Sequence, residues 1–250
     1  MRPALALLPL VPLLGGCIPR LVPHVEASVA AFAPVFAGDA SQGAGNPPLE
    51  LDRELGLDDR ELVPAVGAAV EWVGLRVEAS GFRSRIDGDD TLAAAFGGLP
   101  AGTAVDTEGK FTVVRGAVLI SGIDAGIVKI RPGLGVDVVY LDLEAKSGVL
   151  GATEKLEAQG AVPLLVLNGE VDLGPLRGLV DVSGIRGDYR DVTGTFLDGE
   201  ATLRLKVGGP AELFAGYRYL RLELEGTSNG AAFDSNFRFH GPLAGIAVRF

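Results

Sequence analysis

The sequence predicts an all-β protein, a single antiparallel transmembrane β-barrel of about ten strands, with eight strands as the nearest rival count. Three observations carry this prediction. Apolar residues recur at every second position, glycine interrupts the chain every few residues, and short turns alternate with longer polar connections. Apart from the N-terminus, no apolar run approaches the ~20 residues that a membrane-spanning helix needs. Strands are therefore the elements expected to cross the membrane.

Composition narrows the class of protein further. The chain has 250 residues, of which 48% are hydrophobic, and its formal net charge is −10. This length accommodates one large β domain or two small ones. The acidic balance argues against nucleic acid as a partner, because phosphate backbones require basic patches. A single cysteine rules out an intramolecular disulfide.

The N-terminal segment carries the pattern of an exported protein. Arg2 supplies a positive start, Ala4–Leu14 is almost wholly apolar, and two glycines stand before Cys17. Leu-Gly-Gly-Cys resembles the lipobox of bacterial lipoproteins, which implies acylation of Cys17 after cleavage. The predicted organisation is a signal peptide over 1–16, a lipid-anchored spacer over 17–24 and a barrel over 25–250. An ordinary signal peptide with an incidental cysteine is the alternative.

The last predicted strand alternates faces with period two. Its apolar face consists of Pro242, Ala244, Ile246, Val248 and Phe250, and its other face holds small residues and Arg249. One face toward lipid and one toward a narrow lumen is the pattern of a transmembrane barrel strand. Glu200–Val207 alternates in the same way, and its predicted lipid-facing residues are Ala201, Leu203, Leu205 and Val207.

The clearest strand is predicted over Leu213–Glu225, and a further strand, over 128–146, has a less regular pattern. Leu220, Leu222 and Leu224 are predicted to face lipid, with Arg218 snorkelling to the interface from the same side. The inward set of that strand is then Tyr217, Tyr219, Arg221, Glu223 and Glu225. In the strand over 128–146 the apolar parity changes midway. Its polar set faces inward only if one residue near Val139 bulges; that set is Asp142, Glu144 and Lys146.

Turns and connections determine the predicted strand count. Short turns are predicted near Gly74, Ile123, Pro175 and Gly209, and longer polar connections over 87–106, 147–157, 188–194 and 226–235. Counting back from Phe250 gives nine strands. A tenth strand over 25–32 makes the number even, which places both ends of the barrel in the periplasm. The acidic segment 38–63 is predicted to be an external loop.

Charged residues of both signs are predicted to face the lumen. A barrel of this strand number is only slightly wider than one that side chains fill completely. Opposite charges are therefore expected to pair across the lumen and close it, and an open solute pore is disfavoured. The predicted inward set is Glu71, Arg76, Glu78, Lys129, Arg131, Asp137, Glu170, Arg204, Lys206, Arg221, Glu223 and Arg249.

No catalytic, cofactor or metal site is predicted. The two histidines are His24, beside the predicted anchor, and His240, which lies near Ser235 and Asp234. No His and Ser share a strand face in the way that a hydrolase requires. Asp87–Asp90 lacks the ligand spacing of a calcium-binding loop, so a solvated turn is the interpretation.

Several segments carry a family resemblance. The segments 216–220, 241–245 and 248–250 resemble the last hairpin of small bacterial outer-membrane β-barrel proteins of the OmpW and OmpA-barrel kind, and 135–144 and 55–59 resemble earlier parts. The resemblance implies the fold, the outer membrane with its lipid, and an assembly signal recognised by the barrel-assembly machinery. That signal is Ile246, Val248 and Phe250. The resemblance implies no activity and no small-molecule ligand.

These observations lead to one predicted function and two alternatives. The first is an outer-membrane barrel that has no catalytic site and serves a structural or interaction role, or very narrow permeation. Because alternation does not show which face points inward, a soluble periplasmic lipoprotein with a lipocalin-like barrel for a hydrophobic ligand is the first alternative. The second is a lipid-modifying outer-membrane enzyme of the lipid A acylhydrolase or acyltransferase type.

Overall fold

The structure is a computed structural model that describes residues 22–42, 49–50, 62–91, 100–189, 192–228 and 231–250. None of these residues forms a helix that could cross a membrane. The strands are β1 (His24–Phe32), β2 (Val35–Gln42), β3 (Leu49–Glu50), β4 (Val63–Trp72), β5 (Leu75–Thr91), β6 (Ala104–Ile120), β7 (Ile123–Asp124), β8 (Val128–Ser147), β9 (Ala152–Asp172), β10 (Leu176–Tyr189), β11 (Val192–Gly208), β12 (Ala211–Ser228) and β13 (Ala231–Arg249).

Ten antiparallel strands close into a barrel. β1 pairs with β4 on one side and with β13 on the other, which joins the two edges of the sheet. β2 continues β1 along β13 after a break at Ala33 and Pro34, because proline has no backbone N–H for the ladder. β3 pairs with β2, and β7 pairs with β8. The predicted count of ten strands is confirmed, and eight is excluded.

The four predicted short turns lie at one end of the barrel. They occupy 73–74, the region around β7, 173–175 and 209–210. Val73 and Gly74 have φ values of 50° and 79°, as a tight two-residue hairpin turn requires. At the same end, the Val25 amide donates a hydrogen bond to the Phe250 carbonyl over 3.1 Å. We call this the turn end of the barrel and the opposite end the far end.

The prediction of long polar connections at the far end is wrong for most of the length of three of the four; in the fourth, over 87–106, β5 ends at Thr91 and β6 starts at Ala104. β8 continues to Ser147 and β9 starts at Ala152, so four residues separate them. β10 and β11 are separated by 190–191, and β12 and β13 by 229–230. Backbone pairing extends through these polar segments because their charged side chains point outward. The polar composition of these segments predicted loops, whereas the chain forms strands there that extend the barrel wall.

The exterior near the turn end is apolar. Large side chains that are exposed there include Val66, Val70, Trp72, Leu75, Val77, Val118, Leu134, Leu165, Leu167, Val180, Leu203, Leu205, Leu213 and Ile246. The predicted faces of 242–250 and 201–207 are confirmed, since Leu243, Ala247 and Thr202 are buried inside and their neighbours face out. This apolar band is the kind of surface that meets hydrocarbon in a barrel of this architecture.

Between the apolar band and the far end, the interior face of the wall is apolar and the exterior face is polar. Leu220 is 1% exposed and points into the barrel with Leu222, so the prediction that these leucines face lipid is wrong. Arg218 also points inward and does not snorkel. The predicted inward set of this strand, Tyr217, Tyr219, Arg221, Glu223 and Glu225, is on the exterior instead. Leu213 outside and Leu220 inside lie on one regular strand, so apolar parity changes where the wall leaves the band.

The predicted bulge near Val139 is absent. The pairing of β8 with both neighbours is continuous from Gly133 to Lys146. Val139 is buried inside, and Asp142, Glu144 and Lys146 are on the exterior rather than in the lumen. The change of parity reflects the change of surroundings along the strand and needs no extra residue.

The predicted acidic loop, 38–63, starts within β2 and ends at the first residue of β4. Its residues 43–48 and 51–61 lie outside the described part of the chain.

Candidate functional site: the lumen

The lumen is the place where functional groups converge, and near the turn end it is filled by ion pairs. Arg177 is 0% exposed, and its Nη2 lies 2.5 Å from Glu212 Oε2 and 3.3 Å from Glu26 Oε2. Arg204 Nη1 donates to Glu26 Oε1 over 2.6 Å. These pairs join β1 to the three consecutive strands β10, β11 and β12 through the interior.

A second set of pairs involves β4, β8, β9 and β13, and Arg177 Nη1, 3.7 Å from Glu170 Oε1, joins it to the first. Arg131 Nη2 donates to Glu71 Oε2 over 3.0 Å and to Glu170 Oε2 over 2.9 Å. Its Nη1 donates to Asn168 Oδ1 over 3.0 Å. Arg249 Nη1 lies 3.4 Å from Glu170 Oε1, which attaches the last strand to the same group.

Arg76 completes this group of charges. Its Nε donates to Glu78 Oε2 over 3.0 Å, and its Nη2 lies 4.0 Å from Glu26 Oε1. Among the described residues, five arginines and five glutamates make up the group; they are Arg76, Arg131, Arg177, Arg204, Arg249, Glu26, Glu71, Glu78, Glu170 and Glu212. Within this group of ten side chains the positive and negative charges balance.

A further group lies deeper, toward the middle of the barrel. Arg115 donates to both carboxylate oxygens of Asp137, from Nε over 2.8 Å and from Nη2 over 2.9 Å. The same Nη2 donates to Asp198 Oδ2 over 2.8 Å, and Arg218 Nη2 reaches that oxygen over 2.6 Å. Asp137 is 0% exposed and Asp198 is 1% exposed. Charge-assisted, bidentate bonds of this kind hold the strands in fixed relation.

Aromatic and aliphatic side chains fill the lumen beyond these charges. Phe111 and Phe239 stack with ring centroids 4.1 Å apart and an interplanar angle of 10°. Phe32 meets Phe82 edge-on at 5.3 Å. Arg218 lies over the Phe82 ring at 4.9 Å, which joins the apolar and charged layers. Val113, Phe196 and Leu220 pack in the same buried cluster.

The described interior contains cavities, of which two adjoin the charged groups. One of about 120 Å³ lies on the β1, β4 and β5 side, where Ser28, Gly67 and Ser80 leave space beside Asp181 and Glu200. At ~30 Å³ for each water molecule, it has room for about four. A larger space of about 370 Å³ at the turn end is lined by His24, Lys129, Glu170 and Arg249. Arginines and carboxylates of the ion pairs line both spaces.

The predicted inward set is largely confirmed. Glu71, Arg76, Glu78, Arg131, Asp137, Glu170, Arg204 and Arg249 take part in the lumenal ion pairs. Lys206 reaches Asp172 over 3.3 Å at the rim, and Lys129 lines the space at the turn end. Arg221 and Glu223 are wrongly assigned, because they pair with each other on the exterior.

Several central residues were not predicted. Arg115, Arg177, Asp198 and Arg218 form the most buried pairs and were absent from the predicted set. Arg115 shares its parity with Val113 and Ala117, both of which face inward. The parity of neighbouring residues along β6 was thus the available indication. This indication was weak because a single charged residue, Arg115, lies between the apolar residues Val113 and Ala117 on the inward face of β6.

The histidines do not assemble a hydrolase site. His240 is on the exterior, where its Nδ1 lies 2.7 Å from the Tyr217 hydroxyl. Ser235 faces inward and donates to the Leu224 carbonyl over 3.4 Å. His24 Nδ1 lies 3.3 Å from the Phe250 carbonyl oxygen at the turn end. The described residues contain no group of three or more His, Cys, Asp or Glu side chains arranged to hold a metal ion.

The remaining sequence-predicted residues have defined places. Asp87 and Asp89 are on the exterior of β5 and belong to a strand, not a turn. Ile246 and Phe250 are 57% and 70% exposed and face outward at the turn end, with Val248 on the same face. Cys17 lies outside the described residues.

Comparison with known proteins supports the fold. No family model and no curated protein matches the chain. Among solved structures, the outer membrane protease OmpT from Escherichia coli is similar with a TM-score of 0.58 and 11% identity, over 94% of this chain and 99% of that one. The translocator domain of the autotransporter NalP from Neisseria meningitidis has a TM-score of 0.43 and 15% identity, over 91% and 88%. The similarity to OmpT shows that the chain has the fold of an outer-membrane β-barrel.

Proposed function

We propose that this protein is an outer-membrane β-barrel that acts through its far end, in a structural or interaction role, and not through its lumen. The observation that carries this proposal is the filled lumen, which has a charged layer of paired arginines and carboxylates and an aromatic layer beyond it. The apolar exterior band near the turn end supports insertion in a bilayer. The far end of the wall then projects into water on the cell surface.

The composition of the projecting wall supports an exposed role. Its exterior is charged and its interior is apolar, as in a water-soluble barrel. At the tip of the β8–β9 hairpin, Val149 and Leu150 are 84% and 53% exposed. Exposed apolar residues at the tip of a rigid hairpin are suited to contact with a partner surface. Replacement of both by Asp is expected to abolish such contact without affecting membrane insertion.

Conductance in a planar bilayer tests the closed lumen. We expect the purified protein to show no stable single-channel current, because both layers must be removed to open a path. The same preparation should migrate faster unboiled than boiled on gels, which verifies that a folded barrel is present. Reproducible channels from the folded barrel would contradict the proposal and favour permeation. Narrow permeation of water or protons through the 120 Å³ cavity would require the aromatic layer to move.

The alternatives make different predictions in membrane extraction. A soluble lipoprotein would have its apolar faces inside throughout, whereas the apolar side chains near the turn end are exposed. We expect the protein to resist carbonate extraction even as Cys17→Ala. Release of that variant would favour the soluble lipoprotein.

A lipid-modifying enzyme requires a base near a nucleophile, and His240 and Ser235 are on opposite faces of β13.

Two further parts of the proposal concern targeting. We infer that Cys17 is acylated and that its acyl chains enter the periplasmic leaflet, because β1 starts at the turn end. Incorporation of labelled palmitate that disappears in Cys17→Ala tests this.

We also propose that Ile246, Val248 and Phe250 form the assembly signal, since they face outward at the edge of the band. Deletion of Phe250 is expected to reduce the amount of folded barrel in cells.

A further inference from the structure

The exterior of β5, β6 and β8 carries positive charge immediately beyond the apolar band. The pairing aligns exterior residues in rows. Gly81, Val114 and Val138 form the last apolar row. Arg83, Thr112 and Tyr140 form the next row, and the row after it holds Arg85, Lys110 and Asp142. We call Arg83, Arg85 and Lys110 the basic patch.

The basic patch is only partly neutralised by protein. Arg85 and Lys110 are directly opposite each other on adjacent strands, and like charges in that position repel. They share one carboxylate, Glu108, which lies 3.5 Å from Arg85 Nε and 2.9 Å from Lys110 Nζ. Arg83 is exposed and has no hydrogen-bond or ion-pair partner in the part of the chain that the structure describes. The two rows hold three cations and one carboxylate, Asp142, and the carboxylates of Asp87, Glu108 and Glu144 lie one row farther from the apolar band.

The placement of these charges defines the ligand that fits. Arg83 and Arg85 are two positions apart on one strand face, about 7 Å at the usual strand rise, so long side chains can converge on one tetrahedral anion. Glu108 is on the side away from the band, which leaves the side toward the band open to an anion. Val114, 49% exposed, belongs to the last apolar row, and Tyr140, 46% exposed, lies in the next row. Apolar surface therefore adjoins the basic patch. A molecule that fits has a phosphate at its polar end and acyl chains below it.

We propose that the basic patch binds the phosphate group of a lipid headgroup in the leaflet at the far end of the barrel. The guanidinium groups of Arg83 and Arg85 and the ammonium group of Lys110 contact the phosphate oxygens, and the acyl chains lie along the exterior of β5 and β6. This inference rests on the proposed membrane orientation. It adds a specific lipid site to the interaction role.

A second pair of opposed cations provides a matched control. Arg221 and Arg238 are directly opposite on β12 and β13, also two rows beyond the band. Each has its own carboxylate, since Arg221 pairs with Glu223, and Arg238 Nη2 lies 3.8 Å from Asp39 Oδ1. The same number of exterior cations at the same height is therefore neutralised by protein. Their removal should not affect phosphate binding.

Native mass spectrometry of the purified full-length protein in detergent tests the proposal. The probes are diphosphoryl lipid A, the same lipid with both phosphates removed, and inorganic phosphate. We expect the diphosphorylated lipid to bind at least about tenfold more tightly than the phosphate-free lipid, and the variant Arg83→Gln/Arg85→Gln/Lys110→Gln to lose that difference. Arg221→Gln/Arg238→Gln should keep it. Millimolar inorganic phosphate should not displace the lipid.

Three outcomes would overturn the proposal. These are equal binding of both lipids, equal losses in the two variants, and displacement of the lipid by inorganic phosphate, which would show that the acyl chains add nothing. Heat-modifiable migration of every variant verifies that the barrel is folded. If the barrel is folded and carbonate-resistant but lacks phosphate preference, the lipid site fails while the proposed function stands. Release by carbonate would instead contradict the membrane assignment itself.

Discussion

Arg115 and Asp198 are 83 positions apart in the chain and meet inside the barrel, with Arg115 Nη2 2.8 Å from Asp198 Oδ2. The same guanidinium also binds Asp137 with two hydrogen bonds. One side chain on β6 thus connects β8 to β11 through the interior. Removing one partner of a buried ion pair leaves the other charge without compensation in a dry environment.

We expect Arg115→Ala to reduce the free energy of unfolding by about 3–5 kcal/mol, because Asp137 remains buried without its cation, whereas Asp198 keeps Arg218. Urea unfolding from phospholipid vesicles, followed by the fluorescence of the single tryptophan, Trp72, measures this. Arg186→Ala, which removes an exposed arginine from β10, should change stability little. Equal effects of the two substitutions would show that the lumenal pairs are not structural.

Leu203→Arg tests the apolar band. Leu203 is 54% exposed near the middle of the band on β11, and an arginine there is expected to cost about 2–4 kcal/mol in a bilayer. Thr195→Arg, on the same face but beyond the band, should cost about 0–1 kcal/mol. The same vesicle assay measures both variants. If both positions tolerate arginine equally, the band does not face hydrocarbon.

Phe239→Ala separates the two layers of the lumen. Loss of its stacking against Phe111 is expected to reduce stability by about 3–5 kcal/mol. It should produce no channel in planar bilayers, because the ion pairs near the turn end still close the lumen. Tyr219→Ala on the exterior of β12 is the control for stability. Channel activity in Phe239→Ala alone would indicate that the charged layer is permeable.

Cysteine labelling on intact cells tests orientation. In a Cys17→Ala background, Glu225→Cys lies on the exposed far exterior, and Lys206→Cys lies at the turn end. A membrane-impermeant maleimide is expected to label the first in intact cells and the second only after the outer membrane is permeabilised. The reverse pattern would place the turn end on the cell surface.

The charges around Glu144 predict a pH dependence outside the membrane. Hydrogen bonds from Lys155 and Lys146 lower the pKa of the exposed Glu144 carboxyl from 4.5 to about 2. The stabilisation by the ionised carboxylate is then fully present above pH 4.5 and is lost as the pH falls through about 2. Carbon-13 NMR of the carboxyl should show that midpoint, and high salt should raise it toward 4.5. Glu144→Gln assigns the resonance, and a midpoint near 4.5 at low salt would contradict the pairing.

The architecture was predictable from the sequence, but the face of each residue was not predictable along the whole length of a strand. Period-two alternation and turn residues were sufficient for ten strands, and the faces of 242–250 followed from them. Alternation alone did not reveal that Leu220 faces a dry interior while Leu213 faces outward. That difference depends on where the wall leaves the apolar band, which is a property of the assembled barrel. The pairing of Arg115 with Asp198 likewise depends on barrel closure and not on local spacing.

Barrel closure has one further consequence. Val25 and Phe250 exchange two backbone hydrogen bonds, of 3.1 and 2.9 Å, so the first and last strands start and finish side by side. A linker of a few residues between them would make a circular permutant with new termini in the 148–151 hairpin. Because the strand order around the cylinder is unchanged, every cross-strand register of the parent chain is available to the rearranged polypeptide.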